Sequence, residues 1–570
     1  MKAGAARVDI TPKIKDPLPL LGWGDPKHMA HHVFLPIHSR AVALEDHAGK
    51  RLVFVCVEIC FISESLRLEV MKRLNSVQAR GEWETPFRED EVILTATHTH
   101  NAPGGYCHSI LYNIPSRGYH PGIFETYVEG IVESVLLASR GLKPAILKSG
   151  AIEIPLHEQV AFNRSIQAYN SNRDVEPVPE NRRERAVFRT MDGISAFDES
   201  GALIAHVNWF PVHCTSVHRD FHAIHPDHKG IASRILENEP GGAGAVVIFA
   251  QGAAGDVSPN FRKYWFKRER RGRFRDDQQS AEFNAEIQAK YARKLLEGST
   301  CLRSVSGHEP ELDSILSYHD CTNIPIPPEW VGGREGVRTG PAALGCSFMA
   351  GTEEGQGAPR ALVVLAEWIL RAVYFLKGRR LSQSVHGNKV ICVELSAGKV
   401  FGDSKPEDLP IPGWLDPLMG VIRFWSRIRV FRGEPMTPTR MPIQLFQIGK
   451  IGFAAVPGEF TTQAGQRLRS LLLPILKARG VERVVISGYA NSYAGYVTTE
   501  EEYQVQRYEG ACTHFGRYTL LGYQALFRRL AQIWCRVSLS DPSLRECGIP
   551  VRKTASELKK LDSRFFLRHR

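Results

Sequence analysis

The chain has 570 residues, 43% hydrophobic and 23% charged, proportions of a globular protein with a large core and not of a disordered, collagen-like or repeat sequence. Its formal net charge of +11 is compatible with nucleic acid, an anionic membrane surface or an acidic substrate. No zinc-finger, RNP-like or helix-turn-helix pattern accompanies the charge, which argues against nucleic acid.

The opening VDITP predicts a strand stopped by Pro12. Residues 51–59 (RLVFVCVEI) and 92–97 (VILTAT) are near-continuous apolar runs, as in strands covered on both faces. An amphipathic helix is expected between them over 65–75, another over 123–139, and a third buried strand at 246–251. The alternation predicts an α/β fold, a layered sandwich of central, mostly buried β-sheets flanked by helices. Residues 262–357 read as an irregular insertion with a basic block at 262–275, expected to be a solvated face or mobile segment, then a helical stretch at 280–297 and a Pro/Gly-rich loop at 324–341. Residues 362–376 predict an amphipathic helix, too short to cross a membrane and carrying Glu367 and Arg371 near its middle. Residues 421–432 mix Trp, Phe and Ile with four arginines, and suit either core packing or an interfacial element that meets anionic lipid. A strand pair turning at Gly449 over 443–456, a helix at 462–478 and a strand at 484–487 complete the pattern. With no clear linker, residues 1–540 form one expected domain and 541–570 a basic tail. Eleven cysteines without a C-x-x-C pair, and an N-terminus without an apolar h-region, lead us to expect reduced thiols and a cytoplasmic protein with at most peripheral membrane contact.

Four segments place ligand-type residues directly after apolar strands, where α/β proteins build their sites. In THTHNAPGG, His98 and His100 stand two apart and would share a face of a strand, while Gly104 and Gly105 allow close approach to a ligand. In VNWFPVHCTS, His213 follows a strand, with His218, His222, His225 and His228 after it; one of this cluster is expected to be a ligand. QGAAGDVSPN puts Asp256 and Ser258 on a glycine-rich turn that either presents both groups or merely connects two elements. In VPGEFTT and the following SGYANSYAGYVTTEEEYQVQRYE, Glu459 could serve as carboxylate ligand or general base, and Tyr493, Tyr496, Tyr503 and Tyr508 suit a pocket wall as well as a core.

In this order, together with the NRS of Asn163, Arg164 and Ser165, these segments resemble the neutral (non-lysosomal) ceramidase family over roughly residues 3–525. The resemblance implies one zinc ion per chain held by His98, His213, Glu459 and Tyr496, with His100, Arg164 and Tyr508 directed at the substrate carbonyl and its oxyanion. Ser258 corresponds to the family's nucleophile or substrate-hydroxyl contact, with Asp256 beside it as a further substrate contact. A metal-bound water is the expected attacker, since no obvious base activates Ser258. The implied reaction is cleavage of an N-acyl amide in a lipid-like substrate, ceramide to sphingosine and fatty acid. The same chemistry on another N-acyl or small polar amide is the alternative, and a non-catalytic binding protein a third. Two departures stand out: residues 362–440 match poorly, and about forty-five residues follow the match, too few for the family's Ig-like C-terminal domain.

Overall fold

Apolar residues that follow one another along a strand need cover on both sides of the sheet. In the computed structural model, which describes residues 1–81, 86–264, 269–302, 312–376, 385–397, 399–400 and 435–536, three sheets obtain that cover in the same way. The first holds β1 (Lys2–Asp9), β2 (His38–Glu45), β3 (Arg51–Val57), β4 (Val92–Ala96) and the short β5 (Lys143–Pro144), in the order β4-β3-β2-β1-β5. Helices α1 (Glu64–Ala79) and α2 (Pro121–Arg140) pack on its outer face. The second holds β6 (Ile146–Glu153), β7 (Thr190–Phe197), β8 (Leu203–Trp209), β9 (Val246–Ala250) and β10 (Thr300–Cys301), in the order β9-β8-β7-β6-β10, beneath α3 (Asp227–Glu237) and α4 (Asp277–Gly298). The third runs β11 (Leu312–Asp320), β12 (Arg440–Ile448), β13 (Ile451–Ala455), β14 (Arg483–Ser487). Helix α5 (Arg360–Leu376) precedes β12, and α6 (Thr462–Leu476) and α7 (Thr519–Arg536) pack on the sheet.

The inner faces of all three sheets meet in one core. Alternation sorts the side chains: Ala41 and Ala43 of β2 face the helices, whereas Val42 and Leu44 face inward. At the junction, Trp209 of the second sheet lies 5.2 Å from the ring of Phe54 in the first and 4.8 Å from Phe453 in the third. A buried charge cluster adds a second tie. Arg40 of β2 donates to Glu58 just beyond β3 and, at 2.8 Å, to Glu237 at the end of α3. Burial alone would raise the Glu58 pKa; the Arg40 charge overrides this and holds it at about 2.

Each sheet contains one parallel pair, β3–β4, β8–β9 and β13–β14, bridged by α1, α3 and α6 respectively. The first and third βαβ units match the sequence expectation to within a few residues, and the strands of the second do too, but its helix α3 is not among the expected elements. The expected insertion differs as well. Residues 312–320 form β11, paired with β12 along its whole length, so that stretch belongs to the third sheet. The basic block is also less free than expected: Arg262–Lys263 pairs with Arg270–Arg271, and Arg271 is buried against Asp220 and Asp277. Residues 421–432 and 541–570 lie outside the described residues.

Candidate active site

The carboxyl ends of the three parallel pairs point at one place, and the chain beyond them supplies the site. His98 follows β4, His213 follows β8, and Glu459 follows β13; all three are buried, and their ligand-type atoms lie within 4.8 Å of one another. His98 does not reach the site by strand alternation. It stands past the end of β4 in the left-handed region, with a φ of 68°, which turns its ring toward His100 so that the two Nε2 atoms are 3.1 Å apart. Nor do the two glycines serve a ligand. A Cβ on Gly104 would strike Ser116 and one on Gly105 the ring of His120, so both make room for the protein's own loop. Of the histidine cluster, only His213 enters the site. His218 bonds Asp277, His225 bonds Gln278, and His228 donates to the His213 carbonyl at 2.8 Å. Trp23, which sequence reasoning passed over, roofs the site, edge-on to His100 and stacked on His218.

The protonation of the two imidazoles follows from their neighbours. His213 Nδ1 lies 2.7 Å from the carbonyl of Ala254 and His98 Nδ1 lies 2.6 Å from that of Cys60. Carbonyl oxygens only accept, so each Nδ1 carries a proton and each Nε2 is the atom turned toward the site. Burial pushes the His98 pKa down to about 4, which keeps the ring neutral. Yet His213 Nε2 faces Glu459 Oε2 at 3.0 Å and His98 Nε2 faces Oε1 at 3.6 Å. Burial favours protonation of Glu459, but the two histidines and the Tyr493 hydroxyl outweigh it and hold its pKa far below the usual range. The Nε2 atoms of both imidazoles and the Glu459 carboxylate thus converge on one buried point, where a cation could be shared. Two nitrogens and a carboxylate in this disposition fit zinc. Tyr493 and Tyr489 fix the carboxylate, donating to Oε1 at 2.5 Å and Oε2 at 3.2 Å. Tyr496 is brought alongside because Glu459–Phe460 and Tyr496–Val497 pair in parallel, with Glu459 opposite Tyr496.

A second group of residues borders this centre. The ladder of Phe162–Asn163 with Val257–Ser258 sets Arg164 beside the GDVSPN turn. Gly255 is required there, since a Cβ would meet the Glu459 carbonyl oxygen. Arg164 donates from Nε to Glu509 at 2.9 Å, from Nη1 to Glu354 at 2.5 Å, and from Nη2 to the Gly255 carbonyl and the Tyr496 hydroxyl, both at 2.9 Å. Four of its five N–H groups are thereby committed, leaving one on Nη1. Asp256 is not a substrate contact in this arrangement. It accepts from the backbone N and hydroxyl of Thr462 and from Asn163, which makes it a crosslink between the turn and α6.

Ser258 has a partner that the sequence did not reveal. Its hydroxyl donates to Glu354, whose same oxygen accepts from Asn260 Nδ2 at 2.8 Å and Thr215 at 3.0 Å. Burial would raise the Glu354 pKa, but Arg164 and these donors hold it near 2. Arg164, Tyr508 and Glu509 line the inner end of a cleft of about 860 Å³, walled further out by Arg183 and by Val363 and Val364 of α5. Tyr508 meets Tyr496 edge-on with ring centres 5.5 Å apart.

Comparison with known proteins gives a consistent result. Residues 1–367 and 429–525 match the family model of the neutral/alkaline non-lysosomal ceramidase N-terminal region. The chain is 32% identical over 532 residues to the neutral ceramidase of Pseudomonas aeruginosa, covering 93% of this chain and 71% of that protein. It is 29% identical over 558 residues to neutral ceramidase A of Dictyostelium discoideum, covering 92% and 71%. The crystal structure of the Pseudomonas aeruginosa enzyme superposes with a TM-score of 0.72 at 28% identity, over 94% of this chain and 74% of that one. A ceramidase complexed with C2 gives 0.74 at 28% identity, over 97% and 76%.

Proposed function

The chain belongs to the neutral/alkaline non-lysosomal ceramidase family and is an amide hydrolase, and on that footing we propose that it cleaves the N-acyl bond of ceramide with the help of one zinc ion held by His98, His213, Glu459 and Tyr496. The observation that carries this reading is the convergence of two buried imidazole Nε2 atoms and the Glu459 carboxylate within 4.8 Å of one another. Zinc, when bound, supplies the Lewis acidity that makes water a nucleophile near neutral pH.

The protein's own groups do the rest. Tyr489 and Tyr493 hold Glu459 ionised and oriented. The remaining N–H of Arg164, with Tyr508 and His100, is placed to donate to the developing oxyanion of the amide carbonyl. Ser258 gives its hydrogen to Glu354 and receives the backbone N–H of Asn260 at 2.9 Å, so one lone pair is left to accept from a substrate hydroxyl. A carboxylate with a pKa near 2 is too weak a base to strip Ser258 of its proton. Ser258→Ala should therefore weaken turnover without abolishing it, and rapidly quenched reactions should show no acyl mass on Ser258. An acyl adduct there would establish serine as the nucleophile.

Metal analysis together with turnover of long-chain ceramide tests the reading as a whole. The charged cleft wall around Arg183 and Glu353 favours one rival, an N-acyl substrate with a polar head. Faster turnover of a short polar amide than of long-chain ceramide would select it.

A further inference from the structure

Helix α5 is amphipathic, but it is mounted with its apolar side out. Val363, Leu370 and Tyr374 face the protein, where Tyr374 donates to the Ile391 carbonyl and Glu367 accepts from Ser347. The opposite arc carries Leu362, Leu365, Trp368, Ile369, Phe375 and Leu376, every one of them exposed, Trp368 at 73% and Phe375 at 82%. Isolated exposed leucines are ordinary, whereas a continuous strip of large apolar and aromatic side chains along one helix marks an interaction surface. The helix has 17 residues, and among the described residues no helix is long and apolar enough to cross a membrane. A helix of this length and character can lie along a bilayer surface.

Two further observations identify the occupant. Helix α5 carries Arg360 and Arg371 against the single acid Glu367, which is turned inward, and Lys377, Arg379 and Arg380 come after it in the sequence. Aromatic and leucine side chains on one arc with basic residues flanking them form the pattern of a helix that lies in the headgroup layer of an anionic bilayer. The helix is also a wall of the cleft that leads to Arg164 and Tyr508, through Val363, Val364 and Arg371. The match to the family breaks off at residue 367 and resumes at 429, so most of this outward arc belongs to a segment the family model does not cover.

We propose that α5 docks the protein on anionic lipid bilayers, seating the cleft mouth against the membrane so that an N-acyl lipid passes from bilayer to site along the helix. The identity of the passing lipid rests on the amidase reading above; docking itself does not require turnover. The test uses the full chain with vesicles of phosphatidylcholine, with and without phosphatidylserine, and the variant Leu365→Gln/Trp368→Gln, which alters two exposed side chains that do not line the cleft. Wild type should co-sediment with the phosphatidylserine vesicles and bind them more weakly as salt rises. The variant should bind them at least about tenfold more weakly, since two large apolar side chains no longer partition. It should lose turnover of vesicle-embedded ceramide and keep wild-type turnover of ceramide dispersed in detergent. Failure of wild type to bind either vesicle, or equal binding by the variant, would overturn the proposal. So would a concentration-dependent dimer that the variant abolishes, since the face would then be a contact between copies. Vesicle binding without hydrolysis of any N-acyl lipid would leave docking in place and reject the amidase reading.

Discussion

At the scale of single residues, the groups proposed to hold a metal are distinct from those proposed to face the substrate. His98→Ala or His213→Ala should lose zinc and turnover together while retaining the fold; stoichiometric zinc in either variant, read by metal analysis, contradicts the assignment. For the oxyanion, Tyr508→Phe is a cleaner probe than Arg164→Ala. Tyr508 is half-buried and removing its hydroxyl strands no charge, so zinc should remain and kcat should fall about 10²-fold. Arg164→Ala would leave Glu354 and Glu509 buried without a counter-charge, which costs about 3–5 kcal/mol in stability and confuses the readout. Glu354→Gln should keep zinc but disturb Arg164 and Ser258 together, so combining it with Ser258→Ala should lose less than the product of the two single losses. The histidines and Glu459 were legible because each follows an apolar strand within four residues. Glu354 and Tyr489 were not, because each lies in irregular chain where no periodicity says which way a side chain points, and Glu354 meets Ser258 across ninety-six positions.

The elements were easier to read than their connections. Strands of β-branched residues and helices of 15–22 residues announce themselves by period, and α1, α2, α4, α5 and α6 fall where the pattern puts them. Strand β11 escaped because it alternates only partly buried residues, IleLeuSerTyr among them, inside a stretch whose flanks are rich in charge, proline and glycine. The tie between elements at Arg40 was equally invisible, since nothing local distinguishes it from a surface arginine. Removing it as Arg40→Ala should destabilise the protein by about 3–5 kcal/mol, by leaving Glu58 buried without its arginine and Glu237 held only by the half-exposed Arg7. The pH dependence follows from the depressed Glu58 pKa. Its contribution to stability is complete above the ordinary value of 4.5 and is lost as pH falls toward about 2. Glu58→Gln should flatten the stability profile measured across that acid range.

At the scale of the whole molecule, the site exists only where three separate sheets come together. Any ion that binds the assembled ligands but not the unfolded chain stabilises the native state by mass action, about 4 kcal/mol at a thousandfold excess over Kd. Chelation should therefore lower the thermal midpoint and added zinc should restore it; an unchanged midpoint would mean that the three ligands do not share an ion. The same geometry sets an order of events in folding. Each βαβ unit closes contacts that are near in sequence and can form early, whereas residues 98, 213 and 459 meet only after all three units have docked through Phe54, Trp209 and Phe453. On the proposed ligand set, the capacity to capture metal should therefore be the last property the chain acquires as it refolds. A fluorescent zinc indicator followed during refolding would register the completed tertiary assembly, lagging the return of secondary structure.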